Sequence, residues 1–286
     1  PGTENVTLDV ADWIADPVED LVVNVAGDEE DPDPTDGFLD VDPARPGAQV
    51  TLRAALQHAQ SAARRGFDTI RFNLPWTGNG LPRIAPTRPL PVIQEDLEID
   101  GSSQPGGRGQ LSGAELGEAD GLHSQASRFS AGGLVINSFR GAGLRVGGAT
   151  SVRLVGNVIG TDLSGATGLG NADGIVIEGC TNVTLGGTSD ALRNVISGNT
   201  RNNLHILRSR AVAVGANLVG TDPTGRRSLP SPTGILAEDT AFLRIGGPAW
   251  TTVIHAETAV RLSGIDGSSA LVATHIGVDA EGRRPL

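Results

Sequence analysis

The chain has 286 residues, enough for one elongated domain with a sizeable core. Its formal net charge is −11, all 22 basic residues are Arg, and Lys, Tyr and Met are absent. That composition excludes a lysine base or a tyrosine acid within the chain and argues against nucleic acid as a partner, which needs a basic stripe. No apolar run is long enough for a transmembrane helix.

The acidity sits at the start. Residues 1–45 hold fourteen Asp/Glu against Arg45, a net of −13; the remaining nineteen acids and twenty-one Arg give +2, and the two sum to −11. Residues 1–46 therefore read as an acidic N-terminal segment and loop. Its run Asp28, Glu29, Glu30, Asp31 and Asp33 presents the clustered carboxylates that calcium takes. Two prolines and the lack of fixed ligand spacing favour a solvated loop over a preformed cage. The start at Pro1, with neither Met nor a signal peptide, is expected to reflect processing or trimming.

Residues 47–66 are expected to form a capping helix over 51–64. Leu52, Ala55, Leu56, Ala59 and Ala63 share one face, with Thr51 as N-cap and Gly66 as terminator. His58 falls on the polar face, where solvent exposure is expected.

Residues 67–286 read as one domain, and residues 143–286 within it repeat themselves. Asn157-Val-Ile-Gly-Thr-Asp162 returns sixty residues later as Asn217-Leu-Val-Gly-Thr-Asp222, and a worn copy follows at Thr274-His-Ile-Gly-Val-Asp279. Half that period is the structural unit. Gly143, Gly174, Asn203, Gly234 and Ala259 open runs 25 to 31 residues apart, each followed by alternating apolar and polar positions. Three short strands per turn, stacked at about 4.8 Å, describe an all-β solenoid, a parallel β-helix. Leu144, Ile175, Leu204, Ile235 and Val260 should stack as one inward column, and Val146, Ile177, Ile206, Ala237 and Leu262 as another. The last copy stops at Arg284-Pro-Leu286, mid-repeat, so the chain is expected to be a piece of a longer protein or to be covered there by a partner.

Thr51-Leu-Arg-Ala-Ala-Leu56, Asp68-Thr-Ile-Arg-Phe72, Leu90-Pro-Val-Ile93 and Ile99-Asp-Gly-Ser-Ser-Gln-Pro105 resemble the N-terminal region of bacterial secreted β-helix proteins with a CSLREA-type motif. The phrases at 157–162 and 194–199 are similar to the repeats of the same proteins. The resemblance implies a right-handed β-helix on an exported, often cell-surface, multidomain protein, and it implies no reaction. The family's cysteine before Thr/Ser-Leu-Arg is Val50 here, and Leu39 stands for its partner, so an apolar pair is expected to replace a disulfide. Cys180, the sole cysteine, reads as a half-buried turn residue.

Chemistry is sparse. The outward column of the first strand in each coil reads His123, Arg145, Val176, His205, Leu236, Arg261. A His base beside an Arg that neutralises a carboxylate suits β-elimination on an acidic sugar. Val and Leu interrupt the column, and a decorated β-helix face is the plainer reading. Asp162, Asp222 and Asp279 lie two coils apart, about 9–10 Å, near the upper limit for an inverting glycosidase pair. Their recurrence in Gly-Thr-Asp-x-x-Gly favours a turn role. Asn157, Asn194 and Asn217 read as turn residues that can build an amide ladder, and Trp76 and Trp250 are candidate sugar platforms. The sequence thus favours an extracellular structural or adhesive module with no cofactor, with a polysaccharide lyase or hydrolase and a glycan-binding module as alternatives. Its expected partners are a polysaccharide or cell-surface component and further repeats of the same parent protein.

Overall fold

The computed structural model describes residues 21–33, 39–45, 47–61, 66–76, 82–247 and 252–286. Three parallel sheets of nine, eight and six strands run its length. One coil passes through Ala142–Gly147 in the six-stranded sheet, Ser151–Val155 in the nine-stranded sheet and Val158–Ile159 in the eight-stranded sheet, and the next begins at Asp173. Each strand pairs in parallel with its equivalent one coil on. The fold is a parallel β-helix.

The inward columns are those the alternation predicts. Leu144, Ile175, Leu204, Ile235 and Val260 align in register, as do Val146, Ile177, Ile206, Ala237 and Leu262. The first four members of each column are fully buried. Each large apolar member contributes about 1.5–3 kcal/mol by leaving water. At the last coil the burial stops: Leu262, Leu271 and Ile276, one from each sheet, are 47%, 47% and 44% exposed although they continue buried columns.

Glycine opens most coils because the coils approach too closely there for a side chain. A Cβ on Gly174 would lie 2.4 Å from the Asn203 carbonyl oxygen, and one on Gly234 2.5 Å from that of Ala259. The 60-residue period has its own cause. The Gly-Thr-Asp loops occur on alternate coils and stack across the coil between: Ala280 N donates to Gly225 O at 2.9 Å, and a Cβ on Gly165 would lie 2.3 Å from Pro223. Isolated antiparallel bridges close the loops at Thr161–Gly168, Thr221–Ser228 and Val278–Pro285. The worn third copy closes the same hairpin as the first two.

The N-terminal end differs from expectation in three respects. Leu21–Val23, inside the segment read as an acidic loop, is a strand that pairs with Asp68–Phe72 and starts the nine-stranded sheet. Three residues are too few for a period to register. The helix runs Leu52–Ala59 and closes at Gln60, about a turn before Arg64; Gln60 Nε2 donates to Leu56 O at 3.0 Å and seals it. His58 is buried, 7% exposed, not solvated. Both sides of the helix are covered, because Arg53 is also buried and the chain around Asp28 and Pro89 wraps over it. Thr51 caps as expected, accepting from Ala54 N at 3.0 Å, and Leu52, Ala55, Leu56 and Ala59 face the core against the first two strands. Ala63 lies outside the described residues. Leu39 and Val50 are both buried in the main core and flank the bridge Asp40–Gln49.

Candidate functional site

The first-strand column is placed as predicted, but it does not form one site. His123 and Arg145 are register partners on adjacent coils. Arg145 is committed to Asp120: Nε donates to Oδ2 at 2.6 Å, and Asp120 Oδ1 also takes Ala142 N at 2.6 Å. Burial works against the Arg145 charge, but Asp120 and the more distant Asp173 and Glu178 outweigh it and hold the guanidinium above its ordinary pKa. His123 is pushed below the ordinary imidazole value, first by burial and further by Arg145, with Asp120 opposing. His205 sits between Val176 and Leu236 in register and meets Glu238 Oε2 through Nε2 at 3.0 Å. Val176 separates it from Arg145, so His205 and Arg145 are about 10 Å apart along the column. The elimination pair that the geometry brings together is His123 with Arg145, without His205.

The aspartates face inward to their own loops. Asp162 Oδ1 accepts from Ser164 Oγ, Ala166 N and Thr167 N at 2.8, 3.1 and 3.2 Å. Asp222 repeats the pattern with Thr224 Oγ1, Arg226 N and Arg227 N at 2.8, 3.1 and 3.2 Å. Asp279 takes Arg283 N at 2.7 Å. Burial alone would raise Asp162 and Asp222, but these donors together hold both below the usual carboxylate range. Asp279 is lowered chiefly by the Arg283 amide. A carboxylate that closes its own turn is a loop fastener.

The asparagines form a ladder through the core. Asn157 N and Nδ2 donate to Asn194 Oδ1 at 2.9 and 3.2 Å, and Asn194 N and Nδ2 donate to Asn217 Oδ1 at 3.2 and 2.9 Å. A second run, Asn171 to Asn199, lies at the next corner with the same donors at 3.0 and 3.1 Å. Its spacing of 28 residues, one coil, was the available signal. Buried amides are tolerated because each bonds the next coil.

The acidic loop is turned toward arginines and backbone donors. Asp28 Oδ1 receives Arg53 Nη2 at 2.7 Å, and its Oδ2 receives Thr87 N and Oγ1 at 2.9 and 3.0 Å. Glu30 pairs with Arg88 at 2.5 Å, Glu29 is exposed, and buried Asp31 accepts from Asp33 N at 2.9 Å. Among the described residues no three His, Cys, Asp or Glu form a group that could hold a metal ion. Trp76 is 60% exposed over Gly106, with Nε1 donating to Pro105 O at 3.3 Å. Trp250 lies outside the described residues. Cys180 is fully buried, not half-buried, because it fills a core corner. Among the described residues no helix is long and apolar enough to cross a membrane.

Three comparisons with known proteins complete the picture. No family model matches the chain, and neither a curated protein nor a solved structure does.

Sequence reading passed over another outward column, on the second strand of each coil. Thr69, Glu98, Ser130, Arg153 and Thr184 align there in the nine-stranded sheet. Its residues vary from coil to coil, so no repeat marks it.

Proposed function

We propose that this chain is a structural and adhesive β-helix module, displayed outside the cell or on a bacterial cell surface, whose function is its long repetitive face. The observation that carries the reading is how its recurring polar groups are bonded. Asp162, Asp222 and Asp279 accept from their own loops, the asparagines bond one another, and Arg145 and His205 are held by Asp120 and Glu238. Groups fastened to the scaffold are poorly placed to exchange protons with a substrate. The surface location draws support from the resemblance to CSLREA-type secreted proteins. On this reading the partners are further repeats of the same parent protein and a polysaccharide or other surface component.

One observation favours a rival. His123, held toward its neutral form, stands beside the charged Arg145, the base and counter-charge that β-elimination on an acidic polysaccharide needs. The test is incubation with polygalacturonate and alginate, following the absorbance of unsaturated uronate product. The scaffold reading expects none. Turnover that disappears in His123→Ala, with the circular dichroism spectrum unchanged, would overturn it.

A further inference from the structure

The outer face of the nine-stranded sheet carries a hollow of about 430 Å³. Gly132, Gly133 and Gly156 leave its floor bare, and the backbone requires them: a Cβ on Gly133 would lie 2.4 Å from Ser102 N, and one on Gly156 3.2 Å from Ala191 O. Glu98, Asp100, Arg108 and Arg153 stand around it. An adjoining hollow of about 400 Å³ shares Glu98, Ser130 and Arg153 and extends to Phe67, which is 43% exposed. The two form one groove crossing several coils.

The charges in this groove do not pair with one another. Among the described residues Glu98 meets only Ser130 Oγ, at 3.3 Å, and Asp100 Oδ1 accepts from Ser102 N and Oγ at 3.0 and 2.5 Å. Arg108 donates to the Gly156 carbonyl, and among the described residues Arg153 has no hydrogen-bond or ion-pair partner. Glu98 and Arg153 are two strands apart across Ser130, about 10 Å between backbones. Arg128 and Arg201, of similar exposure, do find acids, Asp96 and Asp173. Arg128, which also lines the groove, is paired with Asp96; the two remaining carboxylates and two remaining guanidiniums, held apart around one space, present acceptors and donors together without an excess of charge.

We propose that this groove binds a neutral polysaccharide laid across the coils. Glu98 and Asp100 accept its hydroxyl hydrogens, Arg108 and Arg153 donate to its oxygens, and Phe67, whose ring carries the Arg128 guanidinium 5.4 Å from its centroid, adds an apolar edge beside the sugar. The charge balance favours an uncharged, hydroxyl-rich chain over a polyanion, which would meet the two carboxylates unpaired. Burial already lowers the Arg108 pKa, and a ligand oxygen adds an acceptor where one backbone carbonyl now serves. The assignment rests on the adhesive reading above and names the class of ligand it would hold.

Affinity electrophoresis through gels containing dextran, galactomannan or a linear β-glucan tests it, with polygalacturonate and alginate gels as charged comparators. At least one neutral polymer is expected to retard the protein. Glu98→Gln and Arg153→Gln should each weaken retention about tenfold, as loss of a charged hydrogen-bond partner does, with an unchanged melting curve. Retention by no neutral polymer, retention by the charged polymers alone, or undiminished retention of the Glu98→Gln/Arg153→Gln double variant overturns the proposal. Cleavage of a polymer whose retention depends on Glu98 and Arg153 would support the groove while overturning the scaffold reading.

Discussion

At the scale of residues, the recurring side chains are fasteners, and their neighbours on adjacent coils show why each was chosen. Cys180 N donates to Ser209 Oγ at 3.1 Å, and Ser209 N in turn to Thr240 Oγ1 at 3.5 Å, so the cysteine is one rung in a column of small polar groups. Burial pushes its thiol pKa up. Cys180 should therefore resist a thiol reagent in the native protein and react once unfolded in urea; rapid native labelling would contradict this. Cys180→Ser should change stability by no more than about 1 kcal/mol. The loop aspartates predict a pH dependence. Their folded pKa lies below the unfolded value, so their stabilisation is complete above about pH 4 and is lost as pH falls through the folded value. Thermal melts of Asp222→Asn should show a shallower fall below pH 4 than those of the unaltered chain; identical profiles would mean that the Asp222 carboxylate does not fasten its loop. The sequence allowed these roles to be read, because a residue recurring at a fixed place in a turn phrase is bonding that turn. It did not reveal Asp120 as the partner of Arg145 or Glu238 as that of His205. Those pairs span 25 and 33 residues and depend on side-chain direction across coils.

At the scale of elements, the N-terminal helix is held by a buried ion pair as well as by its apolar face. The side chains of Arg53 and Asp28 are 4% and 11% exposed, and the guanidinium also donates to the carbonyls of Arg88 and Pro89. Asp28→Ala would leave that charge unmatched and should destabilise the protein by about 3–5 kcal/mol in urea unfolding. A loss below 1 kcal/mol would mean that the loop does not clamp the helix. The helix itself was legible from Thr51 and the stripe behind it. Its early stop at Gln60 was not, because a glutamine that folds back on Leu56 has no signature in spacing. The strand Leu21–Val23 was hidden for a different reason. It is stabilised by pairing with Asp68–Phe72, a contact across nearly fifty residues, while its acidic surroundings read as loop.

At the scale of the whole molecule, the period of sixty and the coil of thirty are two answers to one packing problem. Every coil must present the same inward columns, but only alternate coils carry the Gly-Thr-Asp hairpin, and these hairpins stack on each other across the coil between. That is why the inward columns could be aligned from sequence alone. The groove on the nine-stranded sheet could not, since it is made by glycines and unlike charges that never repeat. The recurring polar residues hold coil to coil, and Asn194 is where that can be measured, because its amide links the coils of Asn157 and Asn217 and also bonds Leu154 O at 2.9 Å. Equilibrium urea unfolding of Asn194→Ala should show one cooperative transition with an unchanged slope, its midpoint lowered by a stability loss of about 3 kcal/mol. A midpoint equal to that of the unaltered chain would contradict the claim.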